Sequence, residues 1–334
     1  MPTNGLFWVD ASSGVAQRRS EGELGALLAR EDGWVWFDVP EPTEATAAVL
    51  RAAFGFHPRV LEDVLERNHV SRLHAYRDYL FLVLHRPEQG MSGHVHYLEI
   101  DLFVGPRFLV TTHGPRNPVV TVESMLTETA EVADRLQSGR LTVASPVALC
   151  YAIVSALTNV EERTVNRLAR DVGRLEQRVM AQDDEGSPQA FLDELFVARH
   201  ALLTVRTMAA QSTEVFERAA GLRADDLPPE DLRLLGDLAD QYHRLTRITA
   251  SQLEFLEGVT DFFRARTDTR MTIAAERLAV IAAVTLPVTA ISSVVGMNVI
   301  VNGHTRLGWL LVLLAVMAGM SVWLLRWARR QGWW

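Results

Sequence analysis

Residues 278–301 read LAVIAAVTLPVTAISSVVGMNVIV, a stretch without a single charged side chain. A second uncharged run, residues 307–325, lies between Arg306 and Arg326. At about 1.5 Å rise per residue, both are long enough, or nearly so, to cross a hydrocarbon core of about 30 Å as helices. The spacing places a first span at 278–298, a connection at 299–306, a second span at 307–327 and a basic tail at 328–334. The chain thus reads as a membrane hairpin following a long polar sequence.

Charge sets the expected orientation. Arg264, Arg266, Arg270 and Arg277 precede the first span; Arg326, Arg329 and Arg330 follow the second; the connection carries Arg306 alone. The positive-inside rule then puts the N-terminal part and the C-terminus in the cytoplasm of a multi-pass protein in the cell membrane. Trp309, Trp327, Trp333 and Trp334 fall near the span ends, where indoles favour the interface. Residues 1–10 lack the basic flank and apolar core of a cleaved export signal.

The 334 residues have a net charge of −8, which leaves no footprint for nucleic acid and suits a part that attracts cations. One cysteine, Cys150, excludes a disulfide framework or a Cys-based zinc site within one chain. Lysine is absent, so every basic side chain except histidine is arginine. Neither a phosphate-binding glycine loop nor a nucleophile–base arrangement is visible, and the expectation is a protein that is not an enzyme.

Ahead of the spans, residues 1–140 alternate strand and helix signals and predict an α/β domain. Strands are expected at 6–10, 34–39, 79–85, 96–104 and 108–112, rich in β-branched and aromatic residues, with helices at 21–30 and 43–54. Gly105-Pro106-Arg107 reads as a hairpin turn. Residues 141–277 form a helical stalk. Ser145-Pro146 supplies an N-cap and first-turn proline for a helix to about Gln182, a second helix covers 189–220, and Pro228-Pro229 opens a third. From Glu230 to Leu286 no proline interrupts, so the third would run roughly 85 Å before merging into the first span. On it Leu235, Leu238, Tyr242, Leu245, Thr249, Gln252, Leu256, Val259 and Phe263 recur at three- and four-residue spacing. That seam faces other helices, of the same chain or of a second copy.

Within the first span, Thr285, Thr289, Ser292, Ser293 and Gly296 make a polar stripe. Such hydroxyls either pack helices closely and bond back to their own carbonyls, or line a polar path. Asn298 tips the balance toward a path, offering an amide oxygen where the span leaves the bilayer. Two helices cannot enclose water, so several copies must each contribute one. The resulting ring of neutral oxygens suits a hydrated, slowly dehydrating cation such as Mg2+. A divalent ion moving inward down 100 mV gains about 4.6 kcal/mol, so no ATP site is required.

The run 287–298, Pro-Val-Thr-Ala-Ile-Ser-Ser-Val-Val-Gly-Met-Asn, resembles the CorA-type magnesium transporters, whose signature is Gly-Met-Asn after a proline-containing first span. A second likeness is Gly55-Phe-His57-Pro58-Arg-Val-Leu-Glu62-Asp63, followed by the strand 79–85. The resemblance implies an α/β cytosolic domain, long stalk helices and a two-helix transmembrane hairpin, assembled as a homopentameric funnel in the lipid bilayer. It implies transport of divalent metal ions, Mg2+ and also Co2+. Gly296, Met297 and Asn298 would be the selectivity filter, and Thr289, Leu286 and Leu278 would line the pore. Asp63, with Glu62, and Asp261 would bind regulatory Mg2+ between subunits and close the pore when internal Mg2+ is high.

This chain departs from the family in three places. The connection 299–306 has no acid, residue 272 is Thr where the family carries an asparagine, and the segment 67–73, Arg-Asn-His-Val-Ser-Arg-Leu, is altered. A zinc-transporting branch of the superfamily tends to replace the residue at Met297. A cytosolic scaffold tethered by the hairpin would be indifferent to Asn298.

Overall fold

The computed structural model describes residues 4–90, 95–181, 188–222, 227–299 and 307–330. The chain forms two compact units, Met1–Gly258 and Val259–Trp334.

The first unit is built on a sheet of strands β1 (Gly5–Asp10), β2 (Ala16–Arg19), β3 (Gly33–Val39), β4 (Arg72–Ala75), β5 (Leu80–Gln89), β6 (Val95–Gly105) and β7 (Phe108–Thr112). Its order is β2-β1-β3-β7-β6-β5-β4, antiparallel except where β3 runs parallel to β7. All five strands expected from β-branched and aromatic runs are present, and Gly105 pairs with Phe108 across the expected turn. The edge strands β2 and β4 are additional.

Because side chains alternate across a strand, each central strand feeds two cores. Phe7, Val9, Trp34, Trp36, Leu82, Leu84 and Leu102 pack on one face, beneath helices α5 (Thr127–Gln137), α6 (Pro146–Ala181), α7 (Pro188–Ala220) and the first part of α8 (Pro229–Val299). Leu6, Trp8, Val35, Phe37, Phe81, Val83 and Phe103 pack on the other, against helices α1 (Leu24–Leu28), α2 (Glu44–Phe54) and α3 (Pro58–Leu65). The unit is therefore a three-layer α/β/α sandwich. A short helix α4 (Val122–Met125) precedes α5. The expected helix at 21–30 is divided: a 3-10 turn, Glu21–Glu23, leads into α1.

α6 and α8 begin where Ser145-Pro146 and Pro228-Pro229 predict. Ser145 Oγ accepts from the Ala148 amide at 3.0 Å and donates to Asp231 Oδ1 at 2.7 Å, joining the starts of α6 and α8. The α8 seam is buried within the chain: Leu235, Leu238, Tyr242, Leu245, Thr249 and Leu256 are at most 2% exposed. Intramolecular packing accounts for that part of the heptad pattern.

The second unit holds the remainder of α8 and helix α9 (Leu307–Arg330). α8 stays helical through Pro287, although proline removes one hydrogen bond to the carbonyl a turn earlier. Among the described residues one helix is long and apolar enough to cross a membrane. It is α8, whose most apolar 18-residue window is only 6% buried. Ser292 Oγ lies 3.7 Å from Met317 Sδ, which brings α8 and α9 together.

Candidate ion path and regulatory acids

Gly296, Met297 and Asn298 form the last turn of α8 as described, which ends at Val299. The connection expected at 299–306 lies outside the described residues from 300 onward. At about 100° per residue, Leu278, Leu286, Thr289 and Gly296 fall within an arc of about 80° on α8, so they share one face. Among the described residues nothing covers that face. Leu278 and Leu286 are each 66% exposed, and a Cβ added at Gly296 would meet no atom within 4 Å.

The hydroxyls of the stripe are partly committed. Thr285 donates to the Ile281 carbonyl and Thr289 to the Thr285 carbonyl, both at 2.8 Å. Each thus spends its hydrogen on its own helix, and its oxygen keeps lone pairs facing outward. An oxygen presented in this way can accept a hydrogen bond from water.

Glu62 and Asp63 are placed by a compact joint between α2 and α3. Gly55 ends α2 with φ +71°, the left-handed conformation glycine tolerates best. Phe56 then stacks on Phe103 with ring centroids 4.2 Å apart and leans on Tyr79 at 4.8 Å. His57 caps α3, its Nδ1 accepting from the Arg59 amide, and its own amide donates to the Tyr79 hydroxyl at 3.1 Å. Pro58 takes the first helical position, where its missing N–H costs nothing. Each residue of the Gly-Phe-His-Pro element is thus accounted for structurally, and the acids follow one turn later.

Glu62 is exposed and Asp63 half-buried. Asp63 Oδ2 is held by Arg72 Nη2 at 2.9 Å, a pairing not read from the sequence. The same Nη2 donates to Asn68 Oδ1 at 3.0 Å. Asn68 Nδ2 donates to the Asp63 carbonyl and to Glu99 Oε1, each at 2.9 Å. Beneath lies the acid pair Glu99 and Asp101, both raised above the ordinary carboxylate range by burial first and, for Asp101, by the neighbouring Glu99 charge. Asn68 and Arg72 both fall in segment 67–73, between α3 and the start of β4. Asp261, in the second unit, is 77% exposed along its side chain and sits 3.6 Å from Arg264. Among the described residues no three His, Cys, Asp or Glu side chains gather as a metal group.

Comparison with known proteins agrees with this architecture. Residues 31–330 match the family model described as CorA-like Mg2+ transporter protein. The chain is 25% identical over 307 residues to a putative metal ion transporter, YfjQ, of Bacillus subtilis, covering 90% of each. It is 22% identical over 288 residues to the cobalt/magnesium transport protein CorA of Thermotoga maritima, covering 84% of this chain and 77% of that one. The complete structure of the CorA magnesium transporter from Methanocaldococcus jannaschii superposes with a TM-score of 0.81. The overlap covers 100% of this chain and 99% of that one at 15% identity, a likeness of fold.

Proposed function

The chain belongs to the family of CorA-like Mg2+ transporter proteins, and on that premise we propose that it carries hydrated divalent cations, Mg2+ foremost and Co2+ with it, into the cytoplasm down the membrane potential. Five copies each contribute α8 to one path across the cell membrane. Gly296, Met297 and Asn298 form its outer mouth; Thr289, Leu286 and Leu278 line it below. The hairpin consists of spans 278–298 and 307–327, with both termini cytoplasmic.

The observation that carries this reading is the uncovered face of α8. Among the described residues, Leu278, Leu286 and Thr289 are left exposed and a side chain at Gly296 would meet no neighbour, on the helix whose last turn holds Gly-Met-Asn. Burying two large leucines is worth about 1.5–3 kcal/mol each, so a covering of lipid or other copies is favoured. Glycine and lone-pair oxygens on the same face argue for an aqueous lining over lipid alone. Mg2+ sheds water reluctantly, which fits a mouth that bonds to the hydration shell and leaves the ion's own ligands in place. Internal Mg2+ closes the path by bridging Asp63, with Glu62, of one copy to Asp261 of the next, relieving their mutual repulsion.

The test is Mg2+ uptake into proteoliposomes with a negative interior. Wild-type uptake should rise with the potential, with Co2+ competing, and Asn298→Ala should reduce it to the protein-free background. Unchanged uptake in the variant would remove Asn298 from the mouth.

A further inference from the structure

Arg72, the first residue of edge strand β4, reaches back nine positions to Asp63 on α3. Among the described residues Nη2 makes the contacts, meeting Asp63 Oδ2 at 2.9 Å and Asn68 Oδ1 at 3.0 Å, while the buried Nε has no hydrogen-bond partner there. The contact therefore lacks the two-pronged geometry that makes arginine–carboxylate pairs strong. Both side chains are about one-third exposed, 31% for Arg72 and 36% for Asp63, so solvent and small ions reach them.

Asn68 fixes where the guanidinium rests. Its amide nitrogen is committed to the Asp63 and Glu66 carbonyls and to Glu99 Oε1, and its backbone amide to Glu99 Oε2 at 2.8 Å. The amide oxygen is thereby left to accept from Arg72. A positive group is thus parked on the very carboxylate that a regulatory divalent cation would use. A cation approaching Oδ2 meets an occupied oxygen and a like charge held beside it.

We propose that Arg72 is a tethered competitor for the divalent cation at Asp63, and that its guanidinium raises the internal Mg2+ concentration at which transport shuts off. The proposal rests on the reading of Asp63 as a regulatory ligand. The monodentate, solvent-accessible contact makes the arginine displaceable, so it adjusts the threshold and does not abolish the response. Asn68 is a positioning residue, acting only through Arg72.

The experiment uses full-length protein in proteoliposomes loaded with graded internal Mg2+, and reads the internal concentration that halves uptake. Arg72→Gln should lower that concentration about five-fold, the effect of one partly screened charge pair. Arg72→Lys, which keeps the charge, should stay close to wild type and shows that β4 tolerates substitution. Asp63→Asn should weaken inhibition, and adding Arg72→Gln to it should change nothing further. If Asp63→Asn weakens inhibition but Arg72→Gln leaves or raises the threshold, the competitor proposal is wrong and the sensor reading stands. If Asp63→Asn has no effect, both fall.

Discussion

Glu161, in the middle of α6, is fully buried, and neither carboxylate oxygen has a hydrogen-bond partner among the described residues. Burial pushes its carboxyl well above the ordinary value of 4.5; Glu128 raises it further and Arg86 opposes. A carboxyl whose pKa is raised in the folded protein holds its proton when the unfolded chain has lost it. Its contribution to stability is complete below about 4.5 and declines as the pH rises toward the folded value. Glu161→Gln, neutral at every pH, should therefore unfold at a progressively higher temperature than wild type as pH increases from 5 to 8. Thermal unfolding of the full chain in detergent checks this, and a gap independent of pH would contradict it. At this scale the Gly-Phe-His-Pro element was readable as a joint because its demands are local: a left-handed Gly55, a capping His57 and a first-turn Pro58. The Arg72–Asp63 contact was not, since it crosses from a helix to a strand with no periodicity linking the two positions. Nor could composition show that Asn68 would be the hub.

Along α8 the environment changes while the helix continues. Leu238 and Leu245 are completely buried, whereas Phe262, Met271, Leu278, Ile281 and Leu286 are each between 49% and 67% exposed. The first group holds the sandwich together, and among the described residues nothing covers the second. Leu238→Ala should therefore destabilise the protein by about 2–5 kcal/mol, through lost burial and a residual cavity. Denaturant unfolding followed by tryptophan fluorescence measures it, and a loss below 1 kcal/mol would contradict the packing described. The central strands, the start of α6 at Ser145-Pro146 and the long helices were legible in the sequence, from alternation, capping chemistry and helical period respectively. β2, reading Ala-Gln-Arg-Arg, and β4, reading Arg-Leu-His-Ala, were not. Edge strands bury little and carry charge, so they lack the hydrophobic signal that marks a strand. The 3-10 opening before α1 was likewise hidden, because its Glu23 serves the capping of the turn.

For the whole molecule, the class of fold followed from a change of period along the chain, from alternation to helical repeats to uncharged runs. The strand order did not. The parallel pairing of β3 with β7 joins residues some seventy positions apart, and only the closed sheet reveals it. Subunit number also lies beyond any local pattern, yet the proposed path depends on it, because one α8 and one α9 cannot surround water. In the proposed path, an acid-free connection carrying Arg306 would make the mouth depend on the Asn298 amides more than on fixed charge. The most direct measurement is the mass of the intact protein in lipid nanodiscs, by native mass spectrometry. The account predicts five copies sharing one particle, and a chain that stays monomeric after gentle extraction would contradict it.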